Sequence, residues 1–580
     1  NLLFHKPEPF VPRRLRLEVG ERIAYTGEVL EALDEDSVRE AVQVARALGA
    51  EAVAICFLHA YANPEHERRA GELVNELWPE AQITLSHDLT GEWREYHRTS
   101  TAVLDAYVKP TVARYLGALA QRLDEAGIGR DTQFAMQSNG GVSRFAVAAE
   151  QPIHLVESGP VGGIIGAAAI GAATGRLNVI TLDIGGTTAK ASLIERGEVK
   201  LTSDYHIERT PTDAGYPIKV PVVDIVEIGA GGGSIAWLDP AGALKVGPRS
   251  AGAEPGPASY GLGGTEPTLT DAQVICGRLD PGAFLGGRLP LDPDRARAAL
   301  APIAEALGAS VEETALGVIR IADANMINLL RLVSVRRGRD PRDFALLACG
   351  GGGPLHATTL AAELRVPEVL VPRAPGHFSA LGMLMSDLRH DLVRTRLERL
   401  DDIDGAEVDG VWRELEQRMR ATFADERVAA DDVAFVRAAD MRYAGQEHAV
   451  TVALADGAFD EAARDEVRVR FHDAHERLYG FRLDVVAEFV NFRLTGFGAV
   501  HKPPLRRLAA ARDVAHEPRS RSVLLEQHGT VAAEVHDRDA LVPGDRLEGP
   551  AIVEEAASTT LLLPGQRLTV DEYGNLEVRT

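Results

Sequence analysis

Residues 37–48 carry Val38, Val42, Ala45 and Leu48 on one face of a 3.6-residue period, the pattern of an amphipathic helix. The run Glu51-Ala-Val-Ala-Ile-Cys-Phe-Leu that follows reads as a buried strand. Asn63 and Pro64 form an N-cap and first-turn pair, opening a helix predicted to reach about Trp78. Strand character returns at 83–86. Residues 99–126 hold a long helical pattern expected to be interrupted or restarted near Pro110, and 132–137 reads as a strand ending in Ser-Asn-Gly-Gly. Strands alternating with helices predict an α/β domain with a largely parallel sheet.

From Asn178 the period changes. Three β segments at 178–183, 188–195 and 198–205 are joined by Gly185-Gly186 and Arg196-Gly197, which predicts an antiparallel meander. Residues 224–270 are dense in glycine and read as ordered loop, too rich in Gly and Pro for a sheet. Helices are expected at 292–307 and 311–337, then a strand at 344–349, a glycine run, a helix from Pro354 and a strand at 368–371. Beyond about 390 charged helices give way to short alternating strands at 522–580, expected to form a small β-rich appendage. These shifts divide the chain into 1–175, 176–390, 391–505 and 506–580. No repeat at a solenoid period is present.

A length of 580 residues is three to four domains' worth of chain. With 62 Lys and Arg against 85 Asp and Glu, the net charge of −23 argues against a general nucleic-acid binder or a protein of anionic membrane surfaces. It does not exclude a nucleotide pocket, where glycine amides and one cation outweigh the global field. Cys56, Cys276 and Cys349 lie far apart, which argues against a disulfide framework or a cysteine-built zinc site and fits a reducing cytoplasm. The most apolar stretch, 161–174, falls short of the ~20 residues of a membrane span, and no signal peptide is evident.

Three segments carry candidate chemistry. In Asp183-Ile-Gly-Gly-Thr-Thr-Ala-Lys190 a buried strand ends in a carboxylate, then two glycines turn the chain and hydroxyls follow. Such a hairpin points backbone N–H groups at a phosphate while the carboxylate holds Mg²⁺ or orients water; the alternative is a plain Gly-Gly hairpin with a surface Asp. In Cys349-Gly-Gly-Gly-Gly-Pro-Leu-His356 a glycine run opens a helix, leaving its N-terminus bare for a phosphate or an adenosine. It is not GxGxxG, so dinucleotide binding fits poorly, and His356 reads equally as a cap-region histidine. The third segment runs from Glu227-Ile-Gly-Ala-Gly-Gly-Gly-Ser234 to Asp271, with Gly231, Gly232 and Gly233 as ligand-loop candidates. Arg249, Glu254 and Asp271 are its ionic candidates, each open to a structural ion-pair role, with Asp271 a candidate metal ligand.

These segments, with Tyr96-His-Arg-Thr-Ser100, Ala106-Tyr-Val-Lys-Pro110, Met136-Gln-Ser-Asn-Gly-Gly141, Glu157-Ser-Gly-Pro-Val-Gly-Gly163, Pro375-Gly-His-Phe-Ser-Ala-Leu-Gly382 and Gly549-Pro-Ala-Ile-Val-Glu-Glu555, resemble the hydantoinase A/5-oxoprolinase family, in order and through nearly the whole chain. That family includes ATP-dependent hydantoin and lactam hydrolases and acetone and acetophenone carboxylase subunits. The resemblance implies an actin/sugar-kinase/Hsp70-like α/β fold, a pair of RNase-H-like domains with ATP held in their cleft. It implies that Asp183, Gly185, Gly186, Thr187 and Thr188 form the second phosphate loop, with Asp183, Thr187 and Thr188 catalytic, and that Gly350, Gly351, Gly352 and Gly353 form the adenosine-side loop.

Two departures stand out. The family's first phosphate loop, of Asp-x-Gly-Gly-Thr type, is absent from a chain that opens at Asn1 with Leu-Leu-Phe-His-Lys-Pro-Glu-Pro, so an N-terminal portion is expected to precede it. With one of two phosphate hairpins, weak ATP binding is expected of these 580 residues. Lys190 stands where oxoprolinase-like patterns often carry Asp, either contacting phosphate or facing solvent. The resemblance thus implies an ATP- and Mg²⁺-using cyclic amide hydrolase subunit, acting on a hydantoin, oxoproline or lactam with a hydantoinase B-type partner. The rivals are an acetone/acetophenone-type carboxylase subunit acting on a ketone, and a non-catalytic scaffold.

Overall fold

The structure is a computed structural model that describes residues 5–210, 212–510 and 517–580. It divides into two compact units, each discontinuous in sequence. One comprises Asn1–Ser158, Leu201–Val222 and Ser386–His501; the other comprises Gly159–Lys200, Val223–Met385 and Lys502–Thr580. Packing therefore cuts across the four consecutive stretches read from composition.

In the first unit, helix Glu35–Ala47 starts where the Asp34 side chain accepts from the N–H groups of Asp36 and Ser37. Its Val38 and Val42 pack with Leu73, Val74 and Trp78 of the next helical segment and with Ile55. Strands Ala52–Ile55 and Gln82–Leu85 pair in parallel, as the alternation predicts. Helix Glu95–Glu125 corrects one expectation, since its 31 residues run through Pro110 without a break. An interior proline costs about 3 kcal/mol, and tertiary contacts on both sides offset it. Asp105 accepts from Thr84 Oγ1 at 2.7 Å, Lys109 donates to the Ile83 carbonyl at 2.8 Å, and Leu116 and Ala120 are buried beyond the proline. A six-stranded sheet completes this unit, in the order 450–454, 433–443, 487–498, 388–399, 142–144 and 134–136. Its pairings are antiparallel except between Leu388 and Val142.

The second unit is built on a nine-stranded sheet. Its main path runs Val226–Ile228, Ala189–Glu195, Val179–Ile184, Ala345–Cys349, Glu368–Val371, Leu576–Arg579, Arg567–Val570 and Arg546–Glu548, and Glu198–Val199 pairs off this path. The predicted meander is present with a third strand of only two residues. Ala345–Cys349 pairs in parallel with the strands on both sides. Of the C-terminal strands, Arg519–Leu525, Gly529–Asp537, Ala551–Glu555 and Ser558–Leu562 form a four-stranded sheet of their own, but the other three are not an appendage. Leu568, Val570, Leu576 and Val578 lie in the same core as Ile180, Leu182 and Leu346, because Glu368–Val371 offers an edge that Leu576–Arg579 completes. The 224–270 stretch also holds more sheet than its composition suggests. Ser234–Leu238 and Leu244–Ser250 form an antiparallel hairpin whose Ile235, Ala236 and Val246 are buried, so local burial overrides the flanking glycines and Pro248.

Two of the sequence motifs are accounted for by close packing here. Helix Ser158–Ala173 meets helix Phe378–Leu384 so tightly that a Cβ on Gly382 would strike the Gly162 carbonyl, and one on Gly166 would approach the Phe378 ring to 3.2 Å. Among the described residues no helix is long and apolar enough to cross a membrane.

Candidate active site

Val179, Ile180, Leu182 and Ile184 are fully buried, and Asp183 is the one residue of their strand that reaches partial exposure. Strand register fixes its neighbours. Cys349 is opposite Asp183 on one side, Lys190 is opposite it on the other, and Glu227 is opposite Lys190. Directly paired residues share a sheet face, so a thiol, two carboxylates and an ammonium form one row across four strands. Lys190 Nζ lies 3.6 Å from Glu227 Oε2. Burial raises the Asp183 carboxyl above its ordinary value and the Lys190 charge partly opposes the shift. Burial, with the Asp183 charge second, pushes the Cys349 thiol well up.

The turn after this strand is exposed at Gly185, Gly186 and Thr187, and Gly185 N–H donates to the Thr188 carbonyl at 3.0 Å. A Cβ at Gly185 or Gly186 would meet nothing within 4 Å, and neither residue has the positive φ that favours glycine. The fold makes no demand for glycine at either position. Among the described residues nothing accepts from the backbone N–H groups of Gly186 and Thr187, which leaves them to solvent or to an anion.

The other two glycine segments brace this turn. Gly232 and Gly233 donate to the carbonyls of Gly185 and Gly186 at 3.0 and 2.6 Å, and Thr270 Oγ1 donates to the Gly232 carbonyl at 2.9 Å. A Cβ on Gly231 would come within 2.6 Å of the Thr187 backbone, so close approach requires glycine there. On the far side, Gly352 N–H donates to the Ile184 carbonyl at 2.9 Å and Gly350 N–H to the Pro375 carbonyl at 2.9 Å. Gly350 has φ +76°, and a Cβ there would collide with the Asp183 carboxylate and the Ile184 carbonyl. Ser558 Oγ donates to the Gly351 carbonyl at 3.3 Å, so the C-terminal strands support this loop.

Asp183, Gly185 to Thr188, Lys190, Gly231 to Gly233 and Gly350 to Gly353 are thus brought together at the carboxyl ends of two neighbouring parallel strands, where ligands of open α/β sheets bind. The remaining candidates are engaged otherwise. Fully buried Asp271 accepts from the N–H groups of Ala258, Ser259 and Thr268 and from Thr268 Oγ1, capping helix Leu269–Ile275. His356 is buried, with Nδ1 2.5 Å from Asp323 Oδ1 and Nε2 3.2 Å from Gln273, a satisfied interior histidine. Arg249 pairs at the surface with Glu266, and Glu254 is exposed. No local sequence pattern assigns a role to Glu227 or Gly163. Glu227 precedes the 229–233 glycine run, yet only strand register reveals that it sits beside Lys190; a Cβ on Gly163 would lie 4.0 Å from Asp183 Oδ2.

Comparison with known proteins decides what this arrangement belongs to. The Hydantoinase/oxoprolinase model matches residues 98–392, its N-terminal region model 1–78 and its C-terminal domain model 401–580. The chain belongs to the hydantoinase/oxoprolinase family. Among family relatives, the caprolactamase subunit alpha of Pseudomonas jessenii is 35% identical over 98% of this chain and 82% of its own. The crystal structure of the ATP-dependent caprolactamase from Pseudomonas jessenii matches with a TM-score of 0.87 at 34% identity, covering 99% of this chain and 83% of that one. The acetophenone carboxylase gamma subunit of Aromatoleum aromaticum is 31% identical over 98% of this chain and 79% of its own. The nucleotide-free acetone carboxylase structure matches with a TM-score of 0.78 at 28% identity, covering 99% of this chain and 82% of that chain. The mixed α/β fold is therefore shared with both solved enzymes.

Proposed function

We propose that this chain is the ATP-using subunit of a cyclic amide hydrolase that opens a hydantoin, oxoproline or lactam ring. The observation that carries the reading is the convergence of three glycine segments, remote in sequence, on the loop after Asp183. Glycines that the fold does not require, beside N–H groups that nothing in the described protein accepts, are what a phosphate ligand calls for. The similarity to an ATP-dependent caprolactamase supports the same ligand. The strand order supports an actin-like, RNase-H-type reading of this unit: an antiparallel meander continued by two parallel strands.

When bound, ATP would supply a phosphoryl group to the amide oxygen and leave as ADP; water adding to the activated ring carbon would then break the C–N bond, the nitrogen taking a proton and the phosphoryl group leaving as inorganic phosphate. The chain's own part is electrostatic. The N–H groups of Gly186 and Thr187 face the phosphate charge, with Lys190 adding a cation and the hydroxyls of Thr187 and Thr188 adding polar contacts. Asp183 fits Mg²⁺, which is commonly held by one or two carboxylates together with substrate phosphates. Its partial burial strengthens that attraction by lowering the local dielectric. Asp271 stays outside the proposed metal site, because its oxygens are committed to the helix cap.

The relatives named as alpha and gamma subunits support a partner, here a hydantoinase B-type subunit supplying the hydrolytic half in the cytoplasm. The carboxylase relatives favour a second reading, in which the same loops serve carboxylation of a ketone. The test is ADP release by the protein co-purified with its large partner, across hydantoins, lactams, and ketones with bicarbonate. Ring opening coupled to ADP release bears out the hydrolase. ADP release with ketone and bicarbonate alone selects the carboxylase, and none with any substrate leaves a scaffold.

A further inference from the structure

A cavity of about 210 Å³ lies in the unit that carries Asp183, walled by Leu508, Leu541, Val542 and Pro543 and charged by Arg373 and Arg538. Arg538 is 6% exposed; its Nη2 donates to the Gly574 carbonyl, while its Nη1 is buried without a hydrogen-bond partner. Neither arginine has a carboxylate within 4.0 Å among the described residues. That is unusual in a chain where 85 acidic residues outnumber 62 basic ones. A buried guanidinium N–H without a partner is costly, and natural proteins rarely leave one.

The surrounding acids do not resolve it. Asp571 accepts from the N–H groups of Tyr573 and Asn575 and from Asn575 Nδ2. Burial pushes Glu555 up to about 7, so much of its charge is absent at neutral pH, and the backbone of Ala374 bonds its carboxyl. Asp539 lines the cavity itself, while Glu555, Asp571 and Asp539 act on Arg538 only through space, none of them within ion-pair distance of either guanidinium. The volume admits a small ion with some water, below the ~300–1,000 Å³ of sites for larger organic ligands. Apolar walls strengthen any charge-assisted bond made inside.

We propose that Arg373 and Arg538 form a binding site for a small phosphate-type oxyanion, separate from the glycine loops. Two guanidiniums lining one cavity supply the donors that phosphate and sulfate accept, in a fork geometry suited to bidentate contacts. The site also adjoins the candidate active site through the chain. Arg373 is followed by Ala374, held at φ +49°, and by Pro375, whose carbonyl accepts from Gly350.

The experiment is calorimetric titration of the full chain with inorganic phosphate at low salt, repeated with sulfate and with glycerol 3-phosphate. Phosphate is expected to bind the native protein, and sulfate to compete with it. Glycerol 3-phosphate binding as tightly as phosphate would point to a phosphomonoester as the ligand, and exclusion of it to the free ion. Arg373→Gln, at an exposed position that spares the fold, should weaken binding by about tenfold or more, the loss of one charge-assisted contact. Arg538→Lys, which keeps the charge but not the fork, should weaken it as well. No phosphate binding to the native protein, or equal binding by Arg373→Gln, overturns the proposal. Either outcome leaves the reading of the Asp183 loops standing, because neither arginine belongs to them.

Discussion

Gly352 donates its backbone N–H to the carbonyl of Ile184 over 2.9 Å, and that bond ties the tetraglycine turn to the residue directly after Asp183. It makes the two loops one structural object: a shift in either is transmitted through the backbone, with no side chain to absorb it. The same carbonyl would be struck by a Cβ on Gly350, so the contact also sets which glycines the fold needs.

Two alanine substitutions should therefore separate folding from ligand binding. Gly350→Ala meets a φ of +76° and two backbone or carboxylate oxygens, and it should lower stability by about 1–3 kcal/mol. Gly186→Ala meets open space, so its melting temperature should stay level or rise by the equivalent of about 0.4–1 kcal/mol. On the proposed function its nucleotide affinity should nevertheless fall, because the added methyl would stand where the phosphate approaches. Thermal melting and ATP titration on both variants check this. A Gly186→Ala protein that binds ATP like the parent would remove the reason for glycine there.

What was legible in the sequence was local. A strand ending in Asp183 with Gly-Gly after it, and a strand at 344–349 running into four glycines, are signals contained within ten residues, and both lie where expected. The row of Cys349, Asp183, Lys190 and Glu227 depends on the register of strands far apart in sequence, which no local pattern encodes. The 234–250 hairpin was hidden because Gly and Pro lower strand propensity while the burial of Ile235 and Val246 decides the outcome. That Leu576–Arg579 and the two strands beyond it extend the central sheet is not legible either, because composition does not say which sheet edge a strand completes.

The three cysteines should be inert in the native protein. Burial pushes the Cys56 thiol up to about 12 and the Cys276 thiol to about 11, and Cys349 is raised well beyond its ordinary value. The thiolate is the reactive form. Native protein at pH 8 should show no rapid reaction with an aromatic disulfide reagent, and denatured protein should show three thiols. A fast-reacting Cys349 would mean that the carboxyl ends of these strands open to solvent.

His154 should give the first unit a sensitivity to mild acid. Burial is the main cause that brings its imidazole down to about 4 from 6.5, while Asp391 opposes the shift and His390 adds to it. The folded value lies below the unfolded one, so the neutral ring's contribution is complete above pH 6.5 and is lost as pH falls towards 4. Between pH 7 and 5 the native protein should lose about 1–2 kcal/mol more stability than His154→Gln. Denaturant midpoints at the two pH values check this, and parallel losses in the two proteins would place the acid sensitivity elsewhere.

Asp183→Asn should separate chemistry from stability at the centre of the site. The change keeps the side chain's size, and Val179, Ile180 and Leu182 keep the strand's core intact. It removes the charge proposed to attract Mg²⁺ or accept a proton, a loss that commonly slows turnover by about 10²- to 10⁴-fold. The stability effect has the opposite sign. Burial raises the Asp183 carboxyl, so its folded value exceeds the unfolded 3.8. The stability linked to its proton is present at low pH and lost as pH rises through the folded value. At neutral pH the native protein holds a partly desolvated carboxylate that the variant lacks, so Asp183→Asn should melt at the same temperature or higher. That advantage should vanish once the pH falls below the unfolded value of 3.8. ATP-dependent turnover of the partner complex and melting curves at two pH values, on the same preparations, decide the matter. Native turnover in the variant would reduce Asp183 to a hairpin residue; a lower melting temperature at neutral pH would show that its charge supports the fold instead of the chemistry.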